Sequence, residues 1–200
     1  MSIVVEHEKR RREILERALD VFMDEGFEDV TYQKISYRCG ITSTTLYIYF
    51  KNKREIFNFS IKQFLQNIEE NITQIRKKEG LSHNEKLIRV LTMIIGNLEE
   101  NRRLLSVIVN SLLNGSKEGY DPDYRVRRRT IRLRHILSTM LIEGIKAGEF
   151  RRSVNVKEAN ELLYGLVETA VLRLVVLRRS SVDEIIDAMK LAVSGFAVKP

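Results

Sequence analysis

Apolar side chains recur every three or four positions along most of this 200-residue sequence. Between residues 52 and 80 the apolar positions are Phe57, Ile61, Phe64, Ile68, Ile72 and Ile75. This spacing places them on one face of an α-helix, which turns once every ~3.6 residues. No stretch alternates apolar and polar residues as a half-buried strand would, and the sequence holds only two prolines. The pattern predicts an all-α protein.

Capping residues set the number of helices. Thr31, Thr42, Asn52, Ser82, Asn155 and Ser181 are expected N-caps, the last three forming capping boxes with a glutamate three residues on, and Asp121-Pro122 is a further helix start. We expect about nine helices, near residues 8–25, 31–39, 42–49, 52–80, 83–100, 102–114, 122–147, 156–178 and 182–197. Short helices give way to long ones near residue 53, which predicts an N-terminal module, 1–53, and a helical body, 54–200.

Composition argues against several classes of protein. The chain is 44% hydrophobic and 30% charged, as in ordinary globular proteins, and its apolar runs fall far short of the ~20 residues that span a bilayer. The N-terminus lacks the apolar core of a signal peptide, and the single cysteine, Cys39, excludes an intramolecular disulfide. We therefore expect a cytoplasmic protein with no membrane partner.

The sequence offers no pattern typical of an enzyme. It has no glycine-rich phosphate loop, no cluster of metal ligands, and no serine or cysteine in the setting of a nucleophile. Its histidines, His7, His83 and His135, are scattered. We expect no catalytic activity, no cofactor and no metal.

Residues 31–53 have the parts of a helix-turn-helix in the required order. Gly40 supplies the turn, and Ser36 and Cys39 are small residues for the point where the two helices touch. Apolar residues such as Ile35 and Leu46 hold each helix to a core. The exposed face of the second helix is then free to enter a DNA major groove.

The same segment resembles the DNA-binding domain of the TetR family of transcriptional regulators. The resemblance rests on Gly26-Phe27, Thr31, Ile35, Gly40-Ile41, the run Leu46-Tyr47-Ile48-Tyr49-Phe50-Lys51-Asn52-Lys53, and Ile56. The Tyr-x-Tyr-Phe run followed by Lys-x-Lys is the specific part. Many members have a histidine where this chain has Ile48.

The resemblance implies a role for each of these positions. Phosphate contacts are expected from Thr31, Thr45, Tyr47 and Lys53. Base edges would be met by Thr42, Ser43 and Thr44, and Ile48 could contact a thymine methyl group. The basic run 9–12 either lies along the DNA or is a solvated helix end. Hydroxyl groups discriminate weakly between bases, so no operator sequence follows.

Bulk charge does not explain DNA binding by this module. The chain carries a net charge of +7, but residues 1–53 hold nine Lys and Arg against nine Asp and Glu. Most of the acidic residues cluster between Glu13 and Asp29, and the basic ones other than Arg17 lie on either side of that stretch. We therefore expect one basic face on an otherwise neutral domain.

The apolar run 169–177 predicts a partner helix, because little of its circumference is polar. The resemblance implies that the last two helices pair with their copies in a homodimer, which would bind a palindromic operator. The expected interface residues are Val171, Leu172, Val175, Ile185, Met189 and Val193. The alternative is a helix buried within one monomer.

The resemblance also implies a small-molecule effector bound in the helical body. Candidate pocket residues are Phe64, Ile108, His135, Met140, Tyr164 and Glu168, although plain core or surface is the simpler interpretation of each one taken singly. Four arginines share one helical face, Arg125, Arg128, Arg129 and Arg132. That face either binds an anionic group, such as the phosphates of an acyl-CoA, or is simply solvated.

These features predict a DNA-binding transcriptional regulator, and specifically a repressor that an effector releases from its operator. A second hypothesis is a DNA-bound recruiter of a partner protein, without a small-molecule effector. A closed apolar pocket in the body would favour the first.

Overall fold

The computed structural model describes residues 3–115 and 123–198, and within these the side chains of 5–111, 113 and 131–198. The described chain forms nine helices: α1 Ile3–Asp29, α2 Tyr32–Cys39, α3 Ser43–Tyr49, α4 Lys53–Lys77, α5 His83–Glu100, α6 Arg102–Gly115, α7 Asp123–Lys146, α8 Val156–Val175 and α9 Asp183–Phe196. Within the described ranges the only β-type pairing is an isolated bridge between Phe150 and Ala197. The all-α prediction is confirmed.

Side-chain caps begin most of these helices where the sequence predicts them. Thr31, Thr42, Asn52, Ser82 and Asn155 each accept a hydrogen bond from a backbone N–H in the first turn of the helix that follows. Such bonds satisfy N–H groups that have no partner within the helix. At Ser82 the full capping box is present, because Glu85 also accepts from the Ser82 N–H at 2.9 Å.

Several helix ends differ from expectation. Helix α1 begins at Ile3 and continues past a break at Gly26 (φ 81°, ψ 163°), and α4 ends at Lys77, short of Gly80. The capping box predicted at Ser181 is absent, because Val182 occupies the N-cap position and Ser181 instead binds Asp183. The predicted start at Asp121-Pro122 lies outside the described residues.

Two apolar cores divide the molecule. The first core packs α1, α2, α3 and the beginning of α4 together, and it also takes Val107 from α6. The second core joins α4, α5, α7, α8 and α9, with α5 packed between α9, α7 and α4. Helix α4 belongs to both, through Ile56 and Phe57 at one end and Ile72 at the other. The predicted domain boundary at residue 53 therefore lies at the first residue of the helix that the two cores share.

The close approach of Gly144 to Phe150 generates a stability prediction. A Cβ on Gly144, in α7, would overlap the ring of the buried Phe150. We expect Gly144→Ala to lower the free energy of unfolding by roughly 1–3 kcal/mol, measured by chemical denaturation. The matched control is Gly96→Ala in α5, where a Cβ meets nothing within 4 Å. The control should raise the free energy of unfolding by up to about 1 kcal/mol, since alanine favours helix. Equal changes in stability for the two variants would contradict the close packing of Gly144 against Phe150.

Candidate nucleic-acid interface

The turn between α2 and α3 has the geometry of a helix-turn-helix. Gly40 adopts the left-handed conformation (φ 66°), and its N–H bonds to the last turn of α2. Below the turn, Ile35, Cys39 and Leu46 are buried in the first core. The Ser36 and Ser43 hydroxyls lie 3.1 Å apart where the helices meet. Burial raises the pKa of the Cys39 thiol, as suits a small packing residue.

The outer face of α3 presents the residues expected to meet bases. Thr42 and Thr44 are exposed, and so are Tyr47 (60%) and Ile48 (69%). Ser43 and Thr45 are half-buried, and the Thr45 hydroxyl lies 2.9 Å from that of Thr42. The face is therefore mostly hydroxyl with one apolar side chain, and two of its hydroxyls already bond to each other.

Tyr32 supports this face and was missed by the sequence analysis. Its ring stacks on Tyr47 at 4.4 Å between centroids, and its hydroxyl donates to the Phe50 carbonyl at 2.5 Å. Burial, with the neighbouring Tyr47 and Glu55, raises the pKa of Tyr32 to about 12. Its phenol thus stays protonated as a donor, and the stack fixes the Tyr47 ring. The only signal in the sequence was an aromatic residue directly after the Thr31 cap.

Lys53 is placed differently from expectation. The sequence predicted an ammonium group free to contact phosphate, but Lys53 Nζ donates to the carbonyls of Phe27, Glu28 and Val30. An ammonium group has three N–H donors, so all of them are used within the protein. A phosphate could be bound only by giving up one of these bonds.

The basic run of α1 is partly committed to packing. Arg10 pairs with Glu13 at 2.9 Å, and the Arg11 guanidinium lies 4.1 Å from the centre of the Phe59 ring. Lys9 and Arg12 are exposed. These two residues are the part of the run that remains suited to meet DNA, and their contact with DNA stays a prediction.

Comparison with known proteins identifies the family. Residues 14–58 match the model of the bacterial regulatory proteins of the tetR family, and residues 57–181 match that of the C-terminal region of YsiA-like proteins. Together these matches cover the first core and the second core as far as the end of α8. The chain belongs to the TetR family.

Individual relatives agree with this family assignment. The chain is 27% identical, over 163 residues and 80% of each chain, to the fatty acid metabolism regulator protein of Bacillus subtilis. The solved structure of FadR from Bacillus subtilis, in complex with stearoyl-CoA, has a TM-score of 0.71 at 22% identity and covers 93% of this chain and 97% of its own. A TetR transcription regulator from Haloarcula marismortui gives 0.79 at 18% identity, covering 95% of this chain and 97% of its own.

Membership makes the protein a DNA-binding transcriptional regulator of the TetR family, with α2 and α3 as its helix-turn-helix. The curated relatives are regulators of transcription and metabolism, not enzymes. In the described part of the chain, none of the helices combines the length and the hydrophobicity that spanning a bilayer requires. Within the same part of the chain, no group of three or more His, Cys, Asp and Glu is placed to hold a metal ion.

The residues predicted for the dimer interface fall into two groups. Ile185 (3%), Met189 (2%) and Val193 (0%) are buried in the second core of their own chain. They are therefore unavailable to a partner, and their prediction as interface residues is corrected: the apolar stripe of α9 packs on α5 and α8. On α8, Leu172 is half exposed and Val171 and Val175 are partly buried.

The outward faces of α8 and α9 carry other apolar side chains. Large exposed hydrophobic residues on and just after these helices are Leu162, Leu172, Val176, Leu177, Leu191 and Val198. Only Leu172 was predicted. Periodicity identified the helices that carry an apolar excess, but not which stripe each one buries internally.

The two depressions found in the described part of the chain include none of the six predicted pocket residues, whose role in effector binding stays a prediction. Met140 and Tyr164 are buried, Phe64 and Ile108 partly buried, and His135 and Glu168 exposed. One open depression of 410 Å³ lies elsewhere, at the far end of α4, between Arg76, His83 and Glu143. A second depression, beside Asn155 and Phe196, also includes none of the six. The side chains of Arg125, Arg128 and Arg129 lie outside the described residues.

The exposure of Tyr47 generates a DNA-binding prediction. Removing its hydroxyl with Tyr47→Phe keeps the stack on Tyr32 but deletes the donor expected to meet a phosphate. We expect about tenfold weaker binding to every duplex alike, measured by fluorescence anisotropy. Tyr37→Phe is the control, because Tyr37 is 90% exposed on α2, outside the predicted contact set. Loss confined to a single DNA sequence would contradict the phosphate assignment.

Proposed function

We propose that this protein is a repressor of fatty acid metabolism genes, bound to a palindromic operator as a homodimer and released by a long-chain fatty acyl-CoA. The observation that carries the proposal is the similarity to the Bacillus subtilis fatty acid metabolism regulator over 80% of both chains. The stearoyl-CoA complex of a structural neighbour supports the effector class. The recruiter hypothesis has no comparable relative in its favour.

The helix packing supports a route from an effector to the DNA-binding helices. Helix α4 contributes to both cores, so displacing its middle moves its first turn and the helices packed there. It is bridged to α7 by two ion pairs, Arg76–Glu143 at 2.8 Å and Arg132–Glu69 at 3.0 Å. Partly exposed pairs of this kind are weak, so an acyl chain entering between the helices meets little electrostatic resistance.

Helix α6 offers a second connection to the DNA-binding module. Val107 lies in the first core, and Arg103 pairs with Asp24 of α1 at 2.8 Å. The other oxygen of Asp24 pairs with Arg38 of α2 at 2.6 Å. An effector that shifts α6 would therefore also act on α2. Such coupling requires only that the effector bind the two arrangements with different affinity.

The effector proposal predicts a selective response. Stearoyl-CoA at about 100 times its Kd should stabilise the protein by ~2.7 kcal/mol, or roughly 5–10 °C in Tm. It should also release a duplex that the protein retains by selection from random-sequence DNA. Differential scanning fluorimetry and anisotropy measure the two effects.

Free CoA and acetyl-CoA are the controls, since they carry the same phosphates without a long apolar chain. Neither should release the DNA. A protein that binds DNA but is indifferent to every acyl-CoA would contradict the effector while leaving the family assignment intact.

The exposed apolar residues of α8 and α9 support the homodimer. Burying them against a second copy removes from water apolar side chains that a monomer would leave exposed. Two copies related by a two-fold axis would also bring two α3 helices to successive major grooves, which doubles the contacts of a module with few free cations.

The dimer proposal predicts the outcome of a charge substitution. Leu172→Glu should give a monomer in light scattering, and it should weaken DNA binding by roughly 100-fold or more because the second half-site is lost. The matched control is Leu113→Glu, which changes an exposed leucine on α6, and it should stay dimeric. A Leu172→Glu protein that remains dimeric would exclude this surface.

A further inference from the structure

The ammonium group of Lys53 binds the end of α1 through three backbone carbonyls. Its distances are 3.0 Å to Phe27 O, 2.8 Å to Glu28 O and 3.0 Å to Val30 O. The group also lies 4.9 Å from the centre of the Phe27 ring. The side chain therefore spans from the first residue of α4 to the segment that leads into α2.

A second lysine completes this arrangement. Lys34, in the first turn of α2, donates from Nζ to the Asp29 carbonyl at 3.2 Å and pairs with Glu25. The four consecutive carbonyls of residues 27–30 are thus all bound by the two ammonium groups, one from α2 and one from α4. We name Lys34, Lys53 and these carbonyls the lysine clamp.

The chemistry of the end of α1 explains why the clamp forms. The last carbonyls of a helix lack intrahelical partners and carry partial negative charge. Gly26 breaks α1 just before them, and the last turn of α1 contains no basic residue of its own. Glu28 and Asp29 add negative charge. The lysines of α2 and α4 therefore supply the positive charge that the last turn of α1 lacks.

We infer that Lys53 is a positioning residue for DNA binding, which fixes the start of α2 relative to α4 through the lysine clamp, and not a phosphate ligand. Val30 directly precedes Thr31, the N-cap of α2, and α2 in turn packs on α3. Loosening the carbonyls would displace Thr31 and the recognition helix without removing any contact with DNA. The inference rests on DNA binding, and not on the proposed effector.

Replacement by arginine separates the two roles. A guanidinium group binds phosphate at least as well as an ammonium group does, so a phosphate ligand would tolerate Lys53→Arg. Its donors, however, lie in one plane and cannot converge on three carbonyls as a compact ammonium group does. The clamp role predicts that Lys53→Arg weakens DNA binding although the charge is kept.

The experiment uses the full chain and one duplex selected from random-sequence DNA on the wild-type protein. Anisotropy titrations over a range of salt concentrations give both the affinity and its dependence on salt. We expect Lys53→Arg to bind about tenfold more weakly than wild type, with an unchanged salt slope. Lys51→Arg is the matched control: the Lys51 side chain is exposed and makes no hydrogen bond or ion pair with another described residue. The control should bind as wild type does.

Charge-removing variants give an independent measurement. Each lost phosphate contact lowers the salt slope by about 0.9. The clamp role predicts that Lys53→Met keeps the salt slope of the wild type, as the Lys51→Met control does, with weaker binding only for Lys53→Met. Hydrogen exchange at the amides of residues 31–35 should be faster in both Lys53 variants and unchanged in both Lys51 variants.

Three results would overturn the inference. Wild-type affinity of Lys53→Arg, or a slope for Lys53→Met lower by about 0.9 than that of the wild type, would make Lys53 a phosphate ligand. A lowered Tm with wild-type affinity, measured well below that Tm, would make its role purely structural. A wild-type protein that retains no duplex would instead contradict DNA binding itself, which keeps the two failures distinct.

Discussion

Packing among three phenylalanine rings holds the DNA-binding helices to the rest of the molecule. Phe22 of α1 and Phe57 of α4 meet edge to face at 4.9 Å, and Phe27 lies 4.9 Å from Phe57 and 5.9 Å from Phe22. Each is buried, and aromatic pairs of this kind add ~0.5–1.5 kcal/mol to the burial itself. The cluster joins the end of α1 to the first turns of α4, so the position of the helix-turn-helix follows that of α4.

The lysine clamp acts at the polar edge of the same cluster. Lys53 sits against the Phe27 ring while its donors hold the carbonyls that follow. Apolar packing is not directional and leaves the exact orientation of α2 open, whereas hydrogen bonds to four successive carbonyls fix it. The packed rings therefore stabilise the contact between the helices, and the hydrogen bonds of the lysines fix the orientation of α2. Tyr32, stacked on Tyr47, extends that orientation to the surface of α3.

Structural features could be predicted from the sequence when the residues that interact lie close together in the chain. Caps such as Thr42 and Asn52 were predictable because each binds an amide three residues away, within one local pattern. The turn at Gly40 was predictable for the same reason. Lys53 was predictable only in part: its place at the start of α4 follows from the Asn52 cap, but its partners lie 23–26 residues earlier in the chain. Likewise, the periodicity of Met189 shows that it faces apolar surroundings but not whether its own chain or a second one provides them.

Pairing of charges within the N-terminal module has a consequence for how a regulator searches a genome. Of the basic side chains in the described part of this module, six are engaged by acidic groups, carbonyls or aromatic rings: Arg10, Arg11, Arg17, Lys34, Arg38 and Lys53. Lys9, Arg12 and Lys51 make no comparable contact with another described residue. Few counterions would then be released on random DNA, where electrostatics supplies nearly all of the affinity. Weak binding to random DNA would leave more copies free of the many competing sites, so fewer copies would be needed to fill one operator.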